Sequence, residues 1–127
     1  MAGPRPAEGK HVLVVEDEYM LADDLRRDLE EAGARVLGPV ASLEQAFSAL
    51  NDGITIDAAV LDINLGGEMV FPLAEALRGR GVPFVFVTGY DAWALPGQFR
   101  DVPCCDKPVD AVQLLRSLGL ARTRGTP

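Results

Sequence analysis

The sequence predicts an α/β fold in which a doubly wound, five-stranded parallel sheet is covered by helices on both faces. Short apolar, β-branched runs alternate with amphipathic segments about five times along the chain. Parallel strands need a crossover between them, so this alternation indicates a parallel sheet rather than a helix bundle or a sandwich. The 127 residues, 48% of them hydrophobic, suffice for one domain with its own core.

Each predicted strand is a short run that is apolar through its middle, as expected for a strand buried on both faces. The second run is the weakest, because Gly38 and Pro39 interrupt it and suggest an edge strand. The predicted strands cover residues 11–15, 35–40, 57–62, 82–87 and 102–105.

The helices are predicted from apolar residues at helical spacing, such as the leucines at every fourth position of 21–29. Ser42 and Gln45 form a capping box that starts the second helix. Two further helices are predicted near residues 70–77 and 109–118. Between them, residues 91–100 contain Pro-Gly, so we expect a short or distorted fourth helix there.

The domain itself is predicted to span residues 10–119. Residues 1–9 are small, polar and proline-rich, and we expect a flexible tail. Residues 120–127 are expected to fray. Too little chain follows residue 119 for an output domain, so we expect a stand-alone module.

The composition and net charge exclude several classes of partner and location. The formal charge of −7 argues against nucleic acid as a partner, because a phosphate backbone attracts cations. The same charge argues against an anionic membrane surface. No stretch approaches the length of a membrane helix. The two cysteines, Cys104 and Cys105, are adjacent and poorly placed to bond to each other. We expect reduced thiols in a cytoplasmic protein.

Polar residues follow the predicted strands. Glu16 and Asp17 come after the first strand, Asp62 ends the third, Thr88 follows the fourth and Lys107 follows the fifth. Because the carboxyl ends of parallel strands meet at one edge, where such folds bind ligands, these side chains are expected to converge.

Their combined chemistry is that of phosphoryl transfer. Three clustered carboxylates repel one another unless a cation joins them, and hard cations such as Mg²⁺ prefer oxygen ligands. A lysine ammonium and a threonine hydroxyl can both bind phosphoryl oxygens. One carboxylate remains as a nucleophile that could form an aspartyl phosphate.

Together with Pro108, which follows Lys107, this set of residues resembles the receiver domain of two-component response regulators. The resemblance covers residues 10–119 and implies a flavodoxin-like (βα)5 fold. The resemblance implies that Asp62 is the phosphoacceptor. It further implies that Asp17 binds Mg²⁺ directly, Glu16 mostly through water, and Asn64 through its backbone carbonyl.

The resemblance also implies that Thr88 is the switch hydroxyl, that Lys107 pairs with the phosphoryl group, and that the Lys107–Pro108 bond is cis. Receivers usually carry an aromatic residue where this chain has Cys104. The run Phe86-Val87-Thr88-Gly89-Tyr90 is similar to that of the single-domain "FAT GUY" receivers. We therefore hypothesise that Tyr90 reports the state of Thr88, and that the kinase belongs to the HWE or a related class.

The expected function is phosphoryl acceptance from a histidine kinase or a histidine phosphotransfer protein, followed by signalling through protein contacts or by shuttling the phosphate. On this view the protein is not an enzyme beyond its own phosphotransfer and dephosphorylation. The alternative is a Mg²⁺-dependent phosphohydrolase, which would need a general acid where Asn64 stands. A flavodoxin-like cofactor binder would need a phosphate loop where three acids follow the first strand.

Overall fold

The computed structural model describes residues 5–89 and 95–120, and these contain the predicted sheet. Its five strands are β1 (His11–Val15), β2 (Arg35–Val40), β3 (Ala58–Asp62), β6 (Phe84–Thr88) and β7 (Cys104–Asp106). All are parallel, and they lie in the order β2-β1-β3-β6-β7. From β1 the chain adds β2 on one side and β3 on the other, so the strand order switches between β1 and β3, as in other doubly wound sheets.

The helices cover both faces of the sheet, so the predicted fold class is confirmed. On one face α1 and α4 pack against Val12 and Val14 of β1, and on the other α2 and α3 pack against its Leu13 and Val15. The apolar side chains of β1 alternate between these two layers because successive residues of a strand point to opposite faces. The helices are α1 (Tyr19–Glu31), α2 (Leu43–Leu50), α3 (Phe71–Gly79) and α4 (Ala111–Ser117).

The capping box forms at the start of α2. The backbone N–H of Gln45 donates to Ser42 Oγ at 3.1 Å, and the backbone N–H of Ala41 donates to Gln45 Oε1 at 2.9 Å. These contacts satisfy donors that the first turn of a helix leaves unpaired.

A short antiparallel hairpin after β3 was not predicted. It consists of β4 (Asn64–Leu65) and β5 (Glu68–Met69), joined by Gly66 and Gly67. Both glycines have positive φ, +61° and +99°, which a two-residue hairpin turn of this kind requires. The glycine pair is the signal for this turn in the sequence.

The segment after β6 departs from a regular helix, as predicted. Residues 90–94 lie outside the described residues, and the described remainder holds one 3-10 helix, Gly97–Phe99. Phe99 is fully buried, and its ring stacks on Phe71 at 5.6 Å. Packing of this aromatic ring, rather than helical hydrogen bonding, attaches the segment to the core.

The packed part of the chain begins before residue 10. Residues 6–9 form a turn in which Ala7 is completely buried, and its N–H donates to the carbonyl of Ala32 at 2.8 Å. The small side chain of Ala7 fits beside the end of α1, so part of the predicted tail packs on the domain. The division into residues 1–9, 10–119 and 120–127 otherwise remains a prediction. Within the described ranges, no helix is both long and apolar enough to span a membrane.

Candidate functional site

Parallel pairing aligns the carboxyl ends of four strands at one edge of the sheet. Val15 pairs with Leu61 between β1 and β3, which places Glu16 beside Asp62. Asp62 pairs with Val87 of β6, and Thr88 pairs with the residue before Lys107. The backbone N–H of Lys107 also donates to the carbonyl of Thr88 at 3.0 Å.

The three predicted carboxylates form one cluster. Glu16, Asp17 and Asp62 each offer an oxygen, and these oxygens lie within 4.8 Å of one another. Glu16 and Asp62 are buried, with 2% and 6% of their surface exposed, whereas Asp17 is exposed. Glu16 Oε2 accepts a hydrogen bond from the backbone N–H of Glu18 at 2.9 Å, and Asp62 Oδ1 accepts one from Asn64 at 3.4 Å.

Lys107 supplies positive charge to this cluster. Its Nζ lies 3.5 Å from Asp62 Oδ2 and 3.5 Å from Glu16 Oε1. The Lys107–Pro108 peptide bond is cis, as predicted. Thr88 is buried with 4% of its surface exposed and lines the same open cleft of about 800 Å³ as Asp62 and Lys107.

Burial makes the carboxyl groups of Glu16 and Asp62 weaker acids than usual. Burial, followed by the negative charge of Asp62, raises the pKa of Glu16 from 4.5 to about 7 despite the hydrogen bond from Glu18. Burial also raises the pKa of Asp62. Burial alone would lower the pKa of Lys107, but Asp62 and Glu16 outweigh it and raise that pKa.

The cluster fits a hard divalent cation. Within the described part of the chain, buried Glu16 Oε1 accepts no hydrogen bond, and the Lys107 ammonium 3.5 Å away is shared with Asp62 Oδ2. Three carboxylates and one nearby ammonium also leave excess negative charge. Oxygen donors with excess negative charge match the preference of Mg²⁺.

The outcomes for Asn64, Tyr90 and Cys104 differ from one another. Asn64 lines the cleft at the start of the hairpin, beside Gly66 and Gly67. Tyr90 lies outside the described residues. Cys104, at the position where receivers carry an aromatic residue, is half-buried on β7 and paired with Phe86.

One contact in the site was not anticipated. Glu18 Oε1 lies 3.4 Å from Lys107 Nζ, on the exposed side of the cluster. Glu18 ends the acidic run of residues 16–18 that follows β1, and this run is the signal for it in the sequence. Its pairing with a residue far along the chain depends on how β1 and β7 are placed in the sheet.

Comparison with known proteins identifies the relatives. SdrG from Sphingomonas melonis Fr1 is 39% identical with a TM-score of 0.76, over 87% of this chain and 96% of that one. A BeF3-activated conformation of SdrG, attributed to Pseudomonas melonis Fr1, is 40% identical with a TM-score of 0.72, over 85% and 94% of the two chains. A response regulator receiver protein from Sinorhizobium medicae WSM419 is 29% identical with a TM-score of 0.77, over 88% and 93%.

Among curated proteins, the transcriptional regulatory protein YvrH of Bacillus subtilis (strain 168) is 32% identical over 82 residues. The match covers 64% of this chain and 34% of YvrH, so the chain spans about a third of that relative. No family model matches the sequence.

Proposed function

The chain belongs to the response regulator receiver domains of two-component phosphorelay signalling, and from this we propose that it accepts a phosphoryl group on Asp62. The donor is a histidine kinase or a histidine phosphotransfer protein. The observation that carries the proposal is the position of the Asp62 carboxylate, in an open cleft 3.5 Å from Lys107 and within a cluster of three acids.

The transfer is a displacement at phosphorus. An oxygen of the ionised Asp62 attacks the phosphorus of a phosphohistidine, so a P–O bond forms while the P–N bond breaks. The imidazole nitrogen leaves with the electron pair and is protonated from solvent. The Lys107 ammonium pairs with a phosphoryl oxygen, and the Thr88 hydroxyl donates a hydrogen bond to another.

Mg²⁺ is the proposed cofactor, and the cluster of Glu16, Asp17 and Asp62 supports this proposal. Asp17 and Asp62 would bind directly, Glu16 mostly through water, and Asn64 through its backbone carbonyl. When bound, the ion neutralises charge that develops on the phosphoryl oxygens. The buried Oε1 of Glu16, which accepts no hydrogen bond from the described residues, supports this assignment.

The output is proposed to be a changed protein-binding face, or shuttling of the phosphate to another protein. Thr88 and Tyr90 would act as the switch, and the subgroup resemblance favours a kinase of the HWE or a related class. The charge of −7 favours protein partners over nucleic acid or an anionic membrane. The free thiols of Cys104 and Cys105 suit a cytoplasmic location.

The test is the intact mass after incubation with Mg²⁺ and acetyl phosphate, for wild type and Asp62→Asn. Wild type alone is expected to gain the mass of one phosphoryl group, and only when Mg²⁺ is present. Binding of BeF3⁻ with Mg²⁺, followed by NMR, covers the case of a short-lived phosphoaspartate. Wild type that neither gains the mass nor binds BeF3⁻ would contradict the proposal.

The same samples test the phosphohydrolase alternative. Repeated turnover of a small phosphomonoester, abolished by Asp62→Asn, would favour an enzyme. We expect no such turnover. Asn64, two residues after Asp62, carries an amide that cannot serve as the general acid.

A further inference from the structure

The Lys107 ammonium contacts carboxylates both inside the cleft and at its opening. Its Nζ lies 3.5 Å from both Glu16 Oε1 and Asp62 Oδ2, and 3.4 Å from Glu18 Oε1. The side chains of Glu16 and Asp62 are 1% and 7% exposed, whereas that of Glu18 is 65% exposed. The ammonium therefore has an outward partner that is not part of the three-carboxylate cluster.

The start of α1 sets the position of Glu18. Its backbone is extended (φ −84°, ψ 108°), and its N–H donates to Glu16 Oε2 at 2.9 Å. A residue at this position can cap the helix with its side chain, but that of Glu18 makes no capping hydrogen bond. Its carboxylate instead reaches Lys107 across the cleft mouth.

We propose that Glu18 is a positioning residue that holds Lys107 at the cleft mouth and competes there with the phosphoryl group. The inference rests on the proposed function, in which Lys107 pairs with the phosphoryl oxygens. An incoming phosphoryl group must take the ammonium away from Glu18. Glu18 thus lowers the affinity for the phosphoryl group without touching it.

The size of the effect follows from the exposure of the pair. An exposed ion pair is only slightly more stable than its two separated charges. Removing Glu18 is therefore expected to raise the affinity for a phosphoryl mimic about two- to fivefold. Salt screens such pairs, so the gain should shrink at high ionic strength. Affinity for Mg²⁺ alone should change little, because Glu18 is outside the cluster.

The experiment compares BeF3⁻ affinity, at saturating Mg²⁺, for wild type, Glu18→Gln, Glu18→Asp and Glu68→Gln. Glu68→Gln removes one negative charge from the nearby hairpin, where Glu68 is exposed, and is the matched control. Glu18→Asp keeps the charge at the cleft mouth but shortens the side chain by one methylene, which breaks the 3.4 Å contact. Unfolding midpoints of all four proteins are measured in parallel.

Both Glu18 variants are expected to bind BeF3⁻ more tightly than wild type, with Glu68→Gln unchanged and all midpoints similar. A Glu18→Gln protein that matches Glu68→Gln, or a Glu18→Asp protein that matches wild type, would overturn the inference while leaving the proposed function intact. Wild type that binds no BeF3⁻ would instead overturn the proposed function, and this inference with it.

Discussion

Removing the charge of Glu16 is expected to stabilise the metal-free protein at neutral pH. The carboxylate is 2% exposed, its Oε1 has no hydrogen-bond partner, and the negative charge of Asp62 lies beside it. The Lys107 ammonium faces both Glu16 and Asp62 and so compensates the buried charge of Glu16 only in part, and a buried charge that is incompletely compensated destabilises a fold. The Glu16→Gln substitution keeps the shape and leaves an amide oxygen that can still accept from the N–H of Glu18.

The magnitude and its sign follow from the shifted pKa. The fold raises the pKa of Glu16 from 4.5 to about 7, so between these pH values the folded state binds more protons than the unfolded state. Wild-type stability therefore falls as pH rises through this window, by at most about 3 kcal/mol. The variant lacks this titration, so its advantage over wild type should be small below pH 4.5 and largest above about pH 7.

The assay is urea unfolding in EDTA at several pH values across that window, with Glu68→Gln as an exposed control of the same chemistry. The control is expected to stay within about 0.5 kcal/mol of wild type at every pH. Saturating Mg²⁺ should shrink or reverse the advantage of Glu16→Gln, because ligand binding stabilises the form that binds more tightly. An advantage that is absent at pH 8, or that does not vary with pH, would refute the reasoning.

The other predictions concern packing, the hairpin and the switch. Phe99→Ala is expected to cost about 3–5 kcal/mol in chemical unfolding, since it empties a fully buried site among aromatic rings, and a cost below about 1 kcal/mol would contradict this packing. Gly66→Ala is expected to lower the free energy of unfolding by about 1–2 kcal/mol, because φ is +61° there. Gly79→Ala, in α3 with open space around the added carbon, should be neutral or stabilising by up to about 1 kcal/mol. Equal effects of the two substitutions would exclude backbone strain at Gly66. Tyr90→Ala is expected to diminish the chemical-shift changes that BeF3⁻ causes around Thr88, and an unchanged response would remove Tyr90 from the switch.

Local patterns predicted most of the fold because each strand carries its own signal. The buried β1 and β3 were visible as apolar runs, and the start of α2 was visible as a capping box. Such signals involve residues that are close in sequence, so no knowledge of the tertiary fold is needed to recognise them. Parallel pairing then required the polar residues at the strand ends to share one edge.

The features that were missed depend on contacts between distant segments. Ala7 is small and apolar in a polar stretch, and only the end of α1 gives it a place to be buried. The hairpin after Asp62 is two residues long in each strand, too short for alternation to be recognised. The last strand and last helix are also shorter than their apolar patterns suggested, as β7 is Cys104–Asp106 and α4 is Ala111–Ser117.

The sequence by itself therefore determined which chemical groups meet at the edge of the sheet: three carboxylates, a hydroxyl and an ammonium. Only the tertiary structure decided their electrostatic state. Burial raises the pKa of Glu16, and the sheet order brings Lys107 within reach of Glu16, Asp62 and Glu18. The sequence specifies which residues are present. Their desolvation and the distances between their charges are set only when segments far apart in sequence pack together.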